Sequence, residues 1–258
     1  MNRVESGALS GVAAAVWADG EEPYYGGFGA ASATTPISAQ TILWIASMTR
    51  ALTAVAAMQL VERKILTLDE PVGSYVPYLA AVQVLDRFET DGAPRLRDSK
   101  RPITLRHLLT HTSGFGYDFA DADYLRFTRM LLGNGNLEGT TVLIAESVEL
   151  MARSHTTAAV DGWQAVNPMM TNAVDLTASG PIGGGLSFLV NETPTAEGRS
   201  PGSLSWAGLA NTYYWIDRRR RTTGVFATQV LPFYDAAALQ TFRRFEATVD
   251  AVLPVDAV

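Results

Sequence analysis

Cysteine is absent from the 258 residues, which excludes disulfide frameworks, thiolate metal sites, iron–sulfur clusters and cysteine nucleophiles together. Histidine is nearly absent. His107, His111 and His155 are the only three, too few for a histidine-rich metal centre, and no metal is expected. Lysine is scarce as well: of 20 basic residues only Lys64 and Lys100 are lysine, so most of the positive charge sits on guanidinium groups that do not titrate near neutral pH. The longest early apolar stretch, Val12 to Ala18, is too short to span a bilayer and has neither a basic leader nor a clean cleavage site, so a soluble cytoplasmic protein with no membrane partner is expected. With 26 acidic and 20 basic side chains, a net charge of −6, the overall field repels a phosphate backbone, and no nucleic-acid partner is expected. The one dense basic run, Arg218 to Arg221, lies between Trp215-Ile216-Asp217 and Thr222-Thr223-Gly224 and reads as a solvated hairpin turn in preference to an anion patch.

What is present is an ordinary folding composition, 47% hydrophobic and 18% charged, long enough for one large domain or two small ones. Val12 to Trp17 and Tyr24 to Ala30, separated by Asp19-Gly20-Glu21-Glu22-Pro23, read as a hairpin. Gly26, Gly27 and Gly29 fit a glycine-rich strand better than a dinucleotide loop, because no helical pattern follows them. From Ile45 to Glu62 apolar residues recur at helical spacing, which predicts a buried helix. Turn-rich sequence follows. Pro102 to Leu109 predicts a short helix with Thr104 as N-cap, closed by Thr112-Ser113-Gly114; Asp123 to Leu132 and Ala145 to Ala152 predict two more. The last third changes character, with strands expected over Leu186 to Val190, Leu204 to Leu209, Thr212 to Ile216 and Thr223 to Val230, then a helix over Ala236 to Val252. Strands, helices, strands and a helix in that order imply a layered α/β (α+β) fold: an antiparallel sheet built from both chain ends, flanked by helices, with a helical block between.

Ser47 opens the buried helix within Ile45-Ala46-Ser47-Met48-Thr49-Arg50. A hydroxyl there meets unpaired backbone N–H groups and the positive end of the helix dipole, which suits a nucleophile; taken alone it reads better as an N-cap serine, and the sequence around it turns the reading toward the nucleophile. No G-x-S-x-G occurs, so the α/β-hydrolase elbow is not an alternative serine site. His107 and His111 have the i, i+4 spacing of a metal pair or relay but are read as packing and capping residues, and His155 as a surface residue.

The stretch Trp44-Ile45-Ala46-Ser47-Met48-Thr49-Arg50-Ala51-Leu52-Thr53 resembles the S-x-x-K segment of the serine β-lactamase and penicillin-binding-protein superfamily, specifically the class C β-lactamase-like carboxylesterases called family VIII. Leu68-Asp69-Glu70-Pro71-Val72 and the run from Pro102 to Phe115 are similar to two structural signatures of that family, and Ser205-Trp206-Ala207-Gly208-Leu209-Ala210-Asn211-Thr212 to its W-x-G segment. The resemblance extends from about Gly11 to Glu246. It implies a β-lactamase-like fold in a single domain, 1–258, whose sheet part is 1–35 and 180–258 and whose helical part is 36–179. It also implies an acyl-serine mechanism through Ser47 on a small ester or amide, an oxyanion hole from the N–H groups of Ser47 and Leu209, a substrate cleft along Trp206, Ala207 and Gly208, and no cofactor.

Two departures bear on activity. Arg50 stands where the family has its lysine base, and a guanidinium with a pKa above about 12 cannot take the serine proton. None of the nine tyrosines is followed two positions later by Asn or Ser, so the family's Tyr motif is missing. The text after Phe119 passes directly into Asp121-Ala122-Asp123-Tyr124, which resembles a segment much further on, so the helical block is expected to be shortened near 119–121. The expectation is therefore an impaired serine hydrolase, with a non-catalytic binding protein or truncated gene product of the same fold as the alternative. Apolar residues of the serine helix and of Phe115 to Phe119, deprived of a neighbour, predict possible self-association through the cleft side.

Overall fold

The computed structural model describes residues 4, 6–18, 20–32, 34–38, 40–89, 93–113, 125–165 and 167–253. Its strands are β1 (Gly11–Ala18), β2 (Glu21–Gly29), β3 (Gln83–Phe88), β4 (Pro94–Asp98), β5 (Asn136–Leu137), β6 (Thr140–Thr141), β7 (Gly162–Trp163), β8 (Val174–Asp175), β9 (Ile182–Gly184), β10 (Leu189–Asn191), β11 (Leu204–Gly208), β12 (Thr212–Asp217) and β13 (Thr222–Ala227). Among the described residues five α-helices accompany them: α1 (Thr49–Glu62), α2 (Leu105–Leu109), α3 (Leu125–Leu132), α4 (Ala145–Ala152) and α5 (Ala236–Val252).

Seven strands form one sheet in the order β2-β1-β13-β12-β11-β10-β9, with every neighbouring pair antiparallel. The two ends of the chain meet where β1 pairs with β13, Ala13 opposite Ala227 and Ala15 opposite Val225. This is the expected α/β layered fold. Successive residues of a strand face opposite sides, and in β12 both sides are covered. Tyr214 and Ile216 join a core with Met48, Ala51, Val55 and Met58 of the serine helix region and with Leu131 and Val148. Tyr213 and Trp215 join a second core with Phe226, Ala238 and Phe242. Three layers result, helices either side of the sheet, which is why β12 reads as an unbroken apolar-aromatic run.

Helix α1 buries Ala51, Ala54, Val55 and Met58, the i, i+3, i+4, i+7 stripe that its sequence predicts. Helix α5 starts where Asp235 accepts from the N–H groups of Ala237 and Ala238, each at 2.9 Å, which satisfies two of the helix's open donors. Among the described residues no helix is long and apolar enough to cross a membrane.

Some expectations needed correction. Leu186 to Val190 is not one strand: Leu186, Ser187 and Phe188 form the turn between β9 and β10, with Ser187 at φ 69°, and Leu186 and Phe188 are buried as turn side chains. The last sheet strand stops at Ala227, short of Val230. The β3–β4 hairpin was not predicted at all; acids and arginines meet across it, as Arg97 and Asp86 do at 3.3 Å, so it lacks the apolar alternation that marks a half-buried strand. The helix expected over Asp123 to Leu132 is described over Leu125–Leu132; Asp123, like Phe115 to Phe119 and the join near 119–121, lies outside the described residues.

Candidate active site

Ser47 lies in a short 3-10 turn, Ala46–Met48, that runs into α1. It is not an N-cap: that position of α1 is Met48, and no side chain caps the helix. The approach to the turn is held from two sides. Gln229 accepts from the N–H of Trp44 at 2.9 Å and donates to its carbonyl at 3.1 Å. Ala46 is fully buried with φ +46°, a left-handed conformation that costs a non-glycine residue roughly 1–3 kcal/mol and persists only where the surroundings enforce it.

The end of β11 is part of those surroundings. A Cβ on Gly208 would overlap the carbonyl oxygen of Ile45 and Oγ1 of Thr212, and Thr212 Oγ1 donates to that same carbonyl at 3.3 Å. Glycine at 208 thus lets the strand lie directly against the backbone leading into Ser47. Strand β10 pairs with β11 at Ser205 and Leu204, so Trp206, Ala207 and Gly208 run on beyond it and border a cleft of about 460 Å³. Ser47, Arg50, Trp206, Ala207, Gly208 and Leu209 all line that cleft, so every residue singled out from the sequence as a site residue is brought to one place.

His111 is there too, which corrects its reading as a packing residue. Helix α2 ends at Leu109, and His111 follows with φ +59°, so it does not stack one turn above His107. Instead Arg50 Nη1 lies 2.9 Å from His111 Nδ1, and the imidazole sits 5.0 Å from the Trp206 ring. Burial, then the neighbouring Arg50 charge, pulls the His111 pKa down to about 4; burial pulls Arg50 down to about 10. Near neutral pH the arginine is therefore charged and the histidine neutral. With Nδ1 accepting from Arg50, the ring proton is on Nε2.

The other histidines are structural. His107 completes a capping box with Thr104, each accepting from the other's backbone N–H at 3.1 and 3.3 Å. His155 is not a surface residue: its Nδ1 accepts from Arg106 at 3.0 Å and its Nε2 donates to the Leu150 carbonyl at 2.8 Å. Arg106 also grips Asp69 with two hydrogen bonds of 2.7 Å, which lowers the Asp69 pKa. The two structural signatures, around Asp69 and around His107, are thus tied to each other.

No local motif marks the cleft's other end, where Arg199 Nε lies 2.6 Å from Glu246 Oε1 and Arg243 Nε 3.5 Å from Glu197 Oε1. The one available signal was Glu246 itself, a carboxylate at the i+4 position from Phe242 on the buried stripe of α5. Two of the cleft tyrosines, Tyr213 and Tyr234, are engaged away from Ser47. Tyr213 donates to Asn211 Oδ1 at 2.8 Å and Tyr234 to the Asp175 carbonyl at 2.6 Å, and burial raises the pKa of both.

Residues 2–155 match the family described as Beta-lactamase. An acyltransferase, mokF, of Monascus pilosus is 46% identical over 84 residues, 33% of this chain and 20% of that protein. The lovastatin esterase of Penicillium rubens is 44% identical over 86 residues, 33% of this chain and 22% of its own length. The chain thus spans about a fifth of the length of these relatives in the matched part. Among solved structures, simvastatin synthase (LovD) from Aspergillus terreus, in its LovD6 mutant, superposes with a TM-score of 0.81 at 20% identity, over 96% of this chain and 94% of that one. EstCE1, a hydrolase with promiscuous acyltransferase activity, superposes with a TM-score of 0.66 at 14% identity, over 95% of each chain. At these identities the structural likeness shows the fold.

Proposed function

The chain belongs to the beta-lactamase family, and from that premise we propose that it is a serine acyl-transfer protein of the esterase-like branch, with Ser47 as nucleophile and with turnover impaired by Arg50. The observation that carries this reading is the cleft wall on which Ser47, Arg50 and the end of β11 meet. Matches to an acyltransferase and a lovastatin esterase favour an ester or acyl substrate over a β-lactam, in keeping with a family VIII-like subclass.

The chemistry follows from the residues. Ser47 Oγ attacks the carbonyl carbon of a small ester or amide, the carbonyl oxygen becomes an oxyanion, and the N–H groups of Ser47 and Leu209 receive it, with the α1 dipole adding to their field. Collapse expels the alcohol or amine and leaves an acyl-serine, which water then hydrolyses. The serine proton passes to solvent water, and water in turn protonates the leaving alcohol or amine, because Arg50 is a cation with no lone pair. It does not go efficiently to His111, whose pKa of about 4 makes it a poor acceptor. Loss of proton transfer on both sides of the reaction costs about 10² to 10⁴-fold for each group, while oxyanion donors and binding alone sustain residual catalysis. We place the shortening of the helical block near 119–121, where the sequence after Phe119 passes into Asp121-Ala122-Asp123-Tyr124, within a single unit whose sheet part is 1–35 and 180–258 and whose helical part is 36–179.

The test is hydrolysis of a short-chain p-nitrophenyl ester by the purified chain. Feeble turnover, no detectable cephalosporin hydrolysis and complete loss in Ser47→Ala are expected. Turnover at ordinary esterase rates, or activity unchanged in Ser47→Ala, overturns the reading. A protein that binds without acylation is the second reading, favoured by the same Arg50; it predicts no serine labelling by an activated ester.

A further inference from the structure

Two rows of side chains lead along the cleft from the serine end to a buried acid. Ser205 and Ala207 of β11, alternate residues on one face, line the cleft with Leu209 just beyond them. Leu239, Phe242 and Glu246 of α5 line it too, on the i, i+3, i+7 stripe of one helix face. The rows run side by side. Asn211 Oδ1 accepts from the N–H of Asp235 at the start of α5 at 2.9 Å, and Arg220, in the turn after β12, donates to the Asp250 carbonyl near the end of α5 at 3.2 Å. Helix α5 therefore travels in the direction of β12, and Glu246 lies beside Trp215, the cross-strand partner of Ser205, away from Leu209. From Leu239 to Glu246 along the helix is roughly 10 Å at 1.5 Å per residue, and Leu209 to Ser205 is a similar span of extended chain.

Glu246 is 2% exposed, and neither of its carboxyl oxygens has a hydrogen-bond partner among the described residues. Arg199 Nε lies 2.6 Å from Oε1 but outside hydrogen-bond alignment, for that nitrogen is unpartnered as well; Arg199 donates instead through Nη1 to Asn191 Oδ1 at 3.3 Å. A buried acceptor left without a donor is costly, and a ligand that brings one recovers that cost on binding. We propose that Glu246 receives a hydroxyl carried at the far end of a bound ester's hydrocarbon chain, so that the cleft selects medium-length ω-hydroxy esters over their purely hydrocarbon counterparts. The proposal rests on the reading of Ser47 as nucleophile and adds to it the remote end of the substrate.

The walls between the two ends set the rest of the ligand. Ala207, Leu209, Leu239 and Phe242 are apolar and suit a hydrocarbon spacer, and about 460 Å³ is room for a medium-length chain. The donor is a neutral hydroxyl and not an ammonium. Arg199 already sets a positive charge against Glu246, and burial raises the carboxyl to about 7, so an ammonium would meet the guanidinium at close range with little negative charge to offset it. A hydroxyl brings the missing donor without a further charge to bury. Glu246 touches neither reacting bond; it determines specificity, because a site that hydrogen-bonds a substrate hydroxyl discriminates against the analogue lacking it.

The experiment is calorimetric titration of the whole Ser47→Ala chain, which cannot be acylated, with three esters: methyl ω-hydroxyoctanoate, methyl nonanoate, in which a methyl group replaces the hydroxyl, and methyl ω-methoxyoctanoate, which accepts a hydrogen bond but cannot donate one. The hydroxy ester is expected to bind at least about tenfold more tightly than either of the others, the difference that one hydrogen bond to a buried carboxyl supplies. Glu246→Leu leaves Arg199 uncompensated, so it is combined with Arg199→Met in the same background; this double substitution should bring the hydroxy ester down to the affinity of methyl nonanoate. Acyl-serine formation in the unsubstituted chain, followed by intact mass with the p-nitrophenyl esters of the same acids, reads the nucleophile separately. Labelling without a hydroxyl preference in binding strikes this proposal and leaves Ser47 standing; the preference without labelling upholds the hydroxyl site and strikes the nucleophile. Equal binding of the three esters, binding by none, or an undiminished hydroxyl preference after the double substitution would each overturn the proposal.

Discussion

Arg50 Nη1 donates to His111 Nδ1 at 2.9 Å, and in doing so a group that cannot accept a proton fixes the tautomer of one that could. The contact gives the histidine a defined titration. Burial and the adjacent guanidinium both oppose imidazolium, and the folded pKa of about 4 lies below the ordinary 6.5. Between those values the unfolded chain binds more protons. The stability associated with neutral His111 is therefore fully present above about pH 6.5 and is lost as pH falls from there through 4. The residue keeps part of its surface open to solvent, which limits the effect on overall stability, so the direct measurement is an NMR titration. His111 should titrate well below ordinary histidine and move upward in Arg50→Gln. An ordinary titration in the unsubstituted chain would show that neither burial nor the Arg50 contact governs this histidine.

Replacing Arg50 by lysine separates the two missing proton-transfer groups. Burial, which already lowers the Arg50 pKa to about 10, would depress an amine from a lower starting value and make it a usable base. It would not restore the acid that protonates the leaving group. Arg50→Lys should therefore increase the acylation burst with an activated aryl ester and leave an unactivated alkyl ester nearly unreactive. Equal rescue of both substrates would mean that a remaining residue supplies the acid.

At the other end of the cleft Glu246 is 2% exposed and 2.6 Å from Arg199. Burial raises its carboxyl to about 7 despite the opposing pull of Arg199. A raised acid stabilises the folded state in its protonated form, so this contribution is complete below the unfolded value of 4.5 and is lost as pH rises through 7. Glu246→Gln should flatten the fall in stability between about pH 5 and pH 8, as followed by urea unfolding. Glu246→Leu should cost about 3–5 kcal/mol by leaving a buried guanidinium uncompensated, and Arg199→Met added to it should recover most of the loss. A double variant no more stable than Glu246→Leu would show that packing around Arg199, not its charge, holds α5 to the loop that follows β10.

The contrast between these two sites shows what the sequence could disclose. Ser47, Arg50 and Trp206 to Leu209 were legible because each sits in a contiguous motif whose neighbours identify it, and the strands that carry them alternate or are uniformly apolar. His111 was misread because its spacing from His107 has meaning only if the helix continues, and α2 stops at Leu109. Arg199 and Glu246 are 47 positions apart and carry no local pattern; only the packing of α5 across the sheet brings them together. The β3–β4 hairpin was missed for a related reason, since its cross-strand partners are charged, as with Arg97 and Asp86, and charge does not announce a strand.

Gly208 links the fold to the reactive residue. Any side chain there must displace the Ile45 carbonyl, which is backbone, or the Thr212 hydroxyl that donates to it. Neither can move without disturbing the turn in which Ala46 is held at φ +46° and Ser47 follows. Gly208→Ala should lower stability by about 1–3 kcal/mol, the usual cost of overpacking, and should also remove whatever labelling of Ser47 a fluorophosphonate gives. Gly139→Ala is the control. That glycine has φ +83° with open space around its Cβ position, so alanine there costs backbone strain without touching the cleft. It should lower the melting temperature slightly and leave Ser47 labelling intact. If Gly208→Ala labels as fast as the unsubstituted chain, the strand is not what positions the serine, and the clamp of Trp44 by Gln229 must do so alone.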